Sequence, residues 1–215
     1  MPALRDAPLR EQAYQRLKQL ILDEALPPNT FLSERGLAEE LGMSKTPIRL
    51  ALARLESEGF VRVSPQQGIV VLALSFEEVL EHIDYRLALE RFVVGQLAGR
   101  LSPAQVQALE AELVQQQQIL EREKPSQPEF IQADMAFHRR LAELLGNRQI
   151  LQALERQQDM LYRIASRVYH KHPQRRAGSL AEHRQLVAYL AAGQQAEASA
   201  LIERHIRQIK HLLVD

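Results

Sequence analysis

Four residues in the C-terminal two thirds of the chain have the types and spacing to do chemistry: Asp134, His138, His183 and His205. Asp134 and His138 are four apart, so on a helix they project side by side. Phe130 or Ile131, Leu141 and Leu145 continue that face and make it an apolar stripe. His183 falls in a second stripe with Leu180, Val187 and Leu190, and His205 in a third with Leu201, Ile202, Ile209 and Leu212. Buried without partners, four such groups would cost on the order of several kcal/mol. A divalent ion satisfies one carboxylate and three imidazoles together. This donor set suits Zn²⁺, Ni²⁺ or Mn²⁺, and leaves a position open for water or an anionic ligand. The spacing fits a hydrogen-bonded polar core equally well, because the adjacency of the helices is inferred. A further His-x-His spacing in His170-Lys171-His172-Pro173 reads as a solvated loop beside a proline, and His82 and His211 receive no role.

The elements that must position these residues are helices. After Leu74 the β signal disappears, and Ser75…Glu78, Ser102-Pro103…Gln105, Ser126…Glu129 and Ser179…Glu182 punctuate the remainder as capping boxes. Gly146-Asn147 marks another break, with Asn147 as an N-cap. The glutamines at 115–118 lie inside a helical pattern and read as a solvated face. Before Leu74 the order differs. Leu9, Ala13, Leu17, Leu20 and Ile21 predict a helix that stops at Pro27-Pro28-Asn29. Ser33 caps a short second helix with Leu37, Ala38 and Leu41, Gly42 breaks it, and Ser44 caps a third with Ile48, Leu52 and Leu55. Val61-Arg62-Val63 and Ile69-Val70-Val71 then form a hairpin around Ser64-Pro65-Gln66-Gln67-Gly68. The boundary falls near residues 73–76.

Composition bounds the chemistry. At 215 residues and 46% hydrophobic the chain has material for one or two domains. It has no cysteine, which excludes a disulfide scaffold, a Cys-ligated zinc, an iron–sulfur cluster and a thiol nucleophile, so any metal is held by nitrogen and oxygen. The start Met1-Pro2-Ala3-Leu4-Arg5-Asp6 has no apolar core of a signal peptide, and no run approaches the ~18 apolar residues of a membrane span. A soluble, cytoplasmic protein is expected. The 27 basic and 27 acidic residues cancel, which by itself weighs against nucleic acid. Position by position the balance reads differently. Residues 44–54 hold Lys45, Arg49 and Arg54 and no acid, on the helix that a helix-turn-helix inserts into the major groove. The alternative for this part is a small helical protein-interaction domain carrying a hairpin.

The run Leu32-Ser33-Glu34-Arg35-Gly36-Leu37-Ala38-Glu39-Glu40-Leu41-Gly42-Met43-Ser44-Lys45-Thr46-Pro47-Ile48-Arg49 resembles the winged-helix signature of the GntR family of bacterial transcriptional regulators. The likeness continues through Ala51-Leu52-Ala53-Arg54-Leu55, Glu58-Gly59-Phe60-Val61 and Gln67-Gly68. By resemblance Arg35, Ser44, Lys45, Thr46 and Arg49 match DNA-contacting positions, with Gln67 and Gly68 at the wing. Two departures are Gly36, where the family has a longer, helix-favouring residue, and Lys45, often Arg, which lacks the bidentate fork. Ala133-Asp134-Met135-Ala136-Phe137-His138, Gly146-Asn147, Glu182-His183-Arg184 and Glu203-Arg204-His205-Ile206 resemble the FCD ligand-binding domain of the FadR-type branch. In its metal-containing members the positions matching Asp134, His138, His183 and His205 hold the ion. Arg86-Leu87-Ala88-Leu89-Glu90 matches a further element of that domain, which places Arg86 against an effector carboxylate; the alternative for Arg86 is a surface pair with Glu90. Arg140 and Arg163 lie on helices that can reach the same cavity.

The expectation is therefore a mainly α protein. Residues 1–74 form a winged helix-turn-helix, and residues 75–215 an antiparallel bundle of six or seven helices for effector and metal binding and for dimerisation. Its function is that of a homodimeric, ligand-responsive regulator, a repressor by resemblance. It reads a palindromic double-stranded operator and answers to a small organic acid bound near zinc, nickel or manganese, with no membrane partner. The alternatives are a regulator for which the ion itself is the signal, or a metal-dependent hydrolase or lyase. The last has no second carboxylate placed beside the site and no use for a winged helix, so no enzyme is expected.

Overall fold

The computed structural model describes residues 7–64 and 68–214, which fall in two compact units, Met1–Ser75 and Phe76–Asp215. In the first, Ala13, Leu17 and Ile21 line one face of α1 (Leu9–Leu22) and are buried. A two-residue strand β1 (Phe31–Leu32) precedes α2 (Glu34–Leu41). Ser33 caps α2 by accepting from the Gly36 amide at 3.0 Å, and Gly42 ends it in the left-handed region at φ 63°. A Cβ on residue 36 would stand 3.1 Å from the Ser33 hydroxyl, so the glycine sits where the cap crowds the helix. Helix α3 (Lys45–Ser57) follows and packs its buried Ile48, Ala51, Leu52 and Leu55 against α1.

The hairpin β2 (Val61–Ser64) and β3 (Gly68–Val71) is antiparallel, with Val61 opposite Val71 and Ser64 opposite Gly68. The sequence predicts two strands, and the sheet has a third. Phe31 pairs with Val70 and Leu32 with Ile69, giving the order β1-β3-β2. Two residues are too short a run to show alternation, so the strand leaves no periodic trace.

Six helices make up the second unit among the described residues: α4 (Phe76–Leu97), α5 (Pro103–Leu120), α6 (Gln127–Leu145), α7 (Arg148–Lys171), α8 (Arg175–Ala191) and α9 (Gln195–Val214). Their ends follow the expected capping chemistry at three places. Ser102 and Gln105 form a complete capping box, Ser126 accepts from the Glu129 amide, and Asn147 accepts from the Gln149 and Ile150 amides. The fourth box is corrected. Ser179 lies inside α8, fully buried, so it caps nothing. The expected loop at 170–173 is also shorter than the sequence implies: His170 and Lys171 belong to α7, and the half-buried His172 bonds the Leu212 carbonyl at 3.0 Å. α4 packs against α6, α7 and α9, and α8 against α5 and α9. Phe130, Ile131, Phe137 and Leu141 are fully buried on α6, which puts Asp134 and His138 inside the core with them.

Candidate metal centre and nucleic-acid interface

His138 from α6, His183 from α8 and His205 from α9 meet as a near-equilateral triangle, with ring centroids 4.9, 5.2 and 4.9 Å apart. Each is at least 95% buried. Their ligand atoms all lie within 4.8 Å of one another. The arrangement follows from what holds the other nitrogen of each ring. His138 Nδ1 lies 2.6 Å from Glu90 Oε2, His183 Nδ1 lies 3.2 Å from Gln116 Oε1, and His205 Nδ1 lies 2.6 Å from Glu182 Oε2. Each partner oxygen accepts, which puts the proton on Nδ1 of His138 and of His183 and leaves each Nε2 a lone pair; His205 Nδ1 stands between Glu182, which accepts, and Arg175 Nη2, a donor 3.2 Å away. His138 Nε2 and His183 Nε2 then face each other at 3.2 Å. Two lone pairs at that separation repel. Nitrogens about 2.0–2.1 Å from a tetrahedral ion stand roughly 3.3 Å apart, so the spacing fits a shared cation.

Asp134 stands beside the triangle, its Oδ1 3.7 Å from His183 Nε2. That oxygen accepts from Ser179 Oγ at 2.9 Å and from the Tyr169 hydroxyl at 3.3 Å, which orients the carboxylate. Phe137 stacks on His183 at 4.4 Å and fixes its plane. Every helix of the unit contributes: Arg86 and Glu90 from α4, Gln116 from α5, and Tyr169 from α7 complete the set.

Burial pushes the His183 imidazolium well below the usual histidine range, and the neighbouring His205, His138, Arg86 and Arg175 push it further. His205 is also lowered by burial, against the opposing pull of Glu182. Burial alone would raise Glu90, but Arg86 and His138 hold it down at about 2. Burial thus favours the neutral form of His183 and of His205, the form in which an imidazole can ligate a metal.

Two expectations about polar residues are corrected here. Gln116 is fully buried, and its amide also donates to the Ala133 carbonyl at 3.1 Å, so the run at 115–118 is not wholly a solvated face. Arg86 and Glu90 are 6% and 3% exposed and bonded at 2.6 Å, so their pairing is an interior one. Arg86 lines a cavity of about 280 Å³ with Glu90 and His138. Arg139, which sequence reasoning passed over, lines it too; Arg140 does not, being bonded to Glu112 and Glu143, and Arg163 is buried outside its lining. Glu182, Gln116, Arg175 and Tyr169 were also missed. Apart from the Arg175–Glu182 pair, seven apart, their partners lie 10 to 67 positions away, at separations that leave no periodic signal.

In the first unit Ser44, Lys45, Thr46 and Arg49 are exposed at the start of α3 and Arg35 is exposed on α2. Arg49 Nε bonds both carboxylate oxygens of Glu34, at 2.9 and 2.7 Å, and Arg35 bonds Glu39 at 2.8 Å. Arg54, counted with the recognition helix, instead stacks on Tyr14 at 3.6 Å and bonds Glu11 and Glu58. The basic face is thus the N-terminal turns of α3, led by Lys45 and Arg49. Gly68 adopts φ 84°, and a Cβ there would meet the Leu32 carbonyl at 3.0 Å, so glycine is needed for the sheet itself. Gln67 lies outside the described residues.

Comparison with known proteins agrees with both units. Residues 9–71 match the gntR family of bacterial regulatory proteins, and residues 81–208 match the FCD domain. An HTH-type transcriptional regulator from an unstable DNA locus of Streptomyces ambofaciens is 30% identical over 200 residues, 93% of this chain and 83% of its own. The gluconate operon transcriptional repressor of Bacillus licheniformis is 35% identical over 140 residues, covering 63% of this chain and 54% of that protein. The solved structure of Escherichia coli McbR/YncC superposes with a TM-score of 0.74 over 97% of this chain and all of that one, at 24% identity, a likeness of fold. These relatives are regulators rather than enzymes, which removes the hydrolase or lyase alternative.

Proposed function

Because the chain belongs to the GntR family, and is a DNA-binding transcription regulator with an FCD domain, we propose that it is a homodimeric repressor whose helical unit holds a divalent metal and answers to a small carboxylate. His138, His183 and His205, with Asp134, would hold the ion. The single observation that carries this is the facing pair of Nε2 atoms at 3.2 Å, each ring aimed by an acceptor on its other nitrogen. Nitrogen and oxygen donors of this kind favour zinc or nickel, with manganese possible in chemistry if less suited by three imidazoles. Bound there, the ion would supply a Lewis-acidic position for an anionic oxygen. Arg86 supplies the fixed positive charge beside it, neutralised in part by Glu90.

On the DNA side Lys45 and Arg49 would reach base edges or phosphates, with Ser44, Thr46 and Arg35 on the backbone and the wing at Gln67 and Gly68 alongside. A two-fold dimer implies a palindromic site. A carboxylate changes DNA affinity only through different affinities for two arrangements of the protein. The test uses a duplex enriched by the full-length protein from a random library. Chelator-stripped protein is compared with protein restored with zinc or nickel, each with and without a panel of small carboxylic acids. The expected result is a change in DNA affinity that needs both metal and an acid. DNA affinity indifferent to metal and to every acid would refute the reading, and a full switch by metal alone would make the ion the signal.

A further inference from the structure

Two cavities of the second unit share Arg86 as a wall. The larger, about 280 Å³, also has Met135, Leu154 and Leu161 in its lining. The smaller, about 10 Å³, is lined by Arg86, Asp134, Tyr169, Arg175 and His205 with three apolar side chains. It has room for one water-sized group, and all five polar residues are buried. A polar void of that size holds one oxygen atom bonded to two to four partners.

We propose that Arg175 is a second effector-binding residue, and that the effector is a monocarboxylate. One carboxylate oxygen occupies the small cavity, within reach of the Arg86 and Arg175 guanidinium groups, and the rest of the molecule follows the larger cavity. The inference rests on the carboxylate-effector reading above. Two features of this chain support it independently.

The first is how α8 keeps an arginine indoors. Arg175 Nη2 donates to Glu182 Oε2 at 2.6 Å and to the His205 carbonyl at 3.4 Å, and lies 3.2 Å from His205 Nδ1, which locks the guanidinium in place. A Cβ on residue 178 would stand 3.1 Å from Arg175 Nη1. Glycine is a poor helix former, yet α8 carries one there, and it leaves the guanidinium its room. The second is the charge around the two voids. The small cavity has two guanidinium groups beside the carboxylate of Asp134, and each guanidinium is also paired with an acid, Arg86 with Glu90 and Arg175 with Glu182, both at 2.6 Å. The larger cavity is lined by Glu90 and Glu155 and by Arg86 and Arg139, with Arg86 paired to Glu90 and Arg139 lying 3.5 Å from Glu143. A ligand with one carboxylate fits this polarity, and a second carboxylate on the tail would meet the two acids.

The test uses full-length protein saturated with cobalt(II), whose ligand-field absorption reports a carboxylate arriving beside the ion. Acetate, butyrate and succinate are the probes, the last two being equal in length. The wild-type protein should respond to acetate and more strongly to butyrate, with succinate no tighter than butyrate. At cobalt saturation Arg175→Met should weaken butyrate about tenfold or more. Gly178→Ala, which keeps the charge but displaces Nη1, should weaken it severalfold, and it decides alone if the first variant does not fold. Butyrate affinity within about twofold of wild type in the folded variants overturns the role of Arg175. Succinate binding tighter than butyrate overturns the monocarboxylate class. No response of the wild-type protein to any of the three sinks the carboxylate reading of the centre itself, which separates that failure from this one.

Discussion

Glu90 carries two bonds that no isostere can reproduce. Arg86 Nε donates to one of its oxygens at 2.6 Å and His138 Nδ1 to the other at 2.6 Å. Glutamine offers one acceptor and one donor, so Glu90→Gln strands one of the two N–H groups or flips the His138 tautomer away from the centre. Metal affinity, measured by chelator competition, should fall about 10–100-fold, as for other outer partners of ligating histidines. Unchanged affinity would show that Glu90 does not orient the ring. Acid sensitivity of the metal-free protein follows from the same residues. His183 and His205 bind protons less readily folded than unfolded, so the unfolded chain takes up more protons below its ordinary histidine value of 6.5. Stability should therefore fall as pH drops below about 6.5. Glu90 adds a second loss between its ordinary 4.5 and the folded value of about 2. Thermal unfolding across pH 7 to 2 checks both, and a flat melting temperature from 7 to 5 contradicts the first. Of these residues the histidines were legible in the sequence, because each interrupts an apolar stripe. Gln116, Glu182 and Arg175 were not, since a polar residue in a polar run looks solvated until the fold turns it inward.

At the scale of elements, two turns of the second unit touch backbone to backbone. Gly99 adopts φ 72°, donates to the Leu190 carbonyl at 2.9 Å, and a Cβ there would stand 3.3 Å from Gly193 Cα. This joins the end of α4, which carries Arg86 and Glu90, to the end of α8, which carries His183. Gly99→Ala should cost about 1–3 kcal/mol through the left-handed backbone and the crowded contact, read by denaturant unfolding. A cost below about 0.5 kcal/mol would mean that the turns part easily. In the first unit α3 is the proposed reading element. Arg49→Ala should weaken binding to the enriched duplex about tenfold to a hundredfold. Full binding by that variant would displace α3 from its role. Helix boundaries set by Ser33, Ser102, Ser126 and Asn147 were legible because side-chain capping is local. The Ser179 box failed because the same residue types serve equally well as an interior donor, here to Asp134. β1 escaped because its partners are about 38 residues away in sequence and its own run is two residues long.

For the whole molecule, a formal charge of zero conceals a division of labour. Acids pair with Arg35, Arg49 and Arg54 in one unit and with buried arginines and histidines in the other. DNA affinity should nevertheless fall steeply with salt if, as proposed, Lys45 and its neighbours act on phosphates. A slope near zero between 50 and 200 mM salt would argue against phosphate contacts. The account stands or falls on the centre where three helices bring their histidines together. Metal content of the purified full-length protein, and of His183→Ala beside it, tests that most directly. The wild-type protein should carry close to one zinc or nickel per chain, or take one up with submicromolar affinity after stripping, and the variant should lose it. A folded wild-type protein that binds zinc, nickel and manganese no better than the variant would contradict the account.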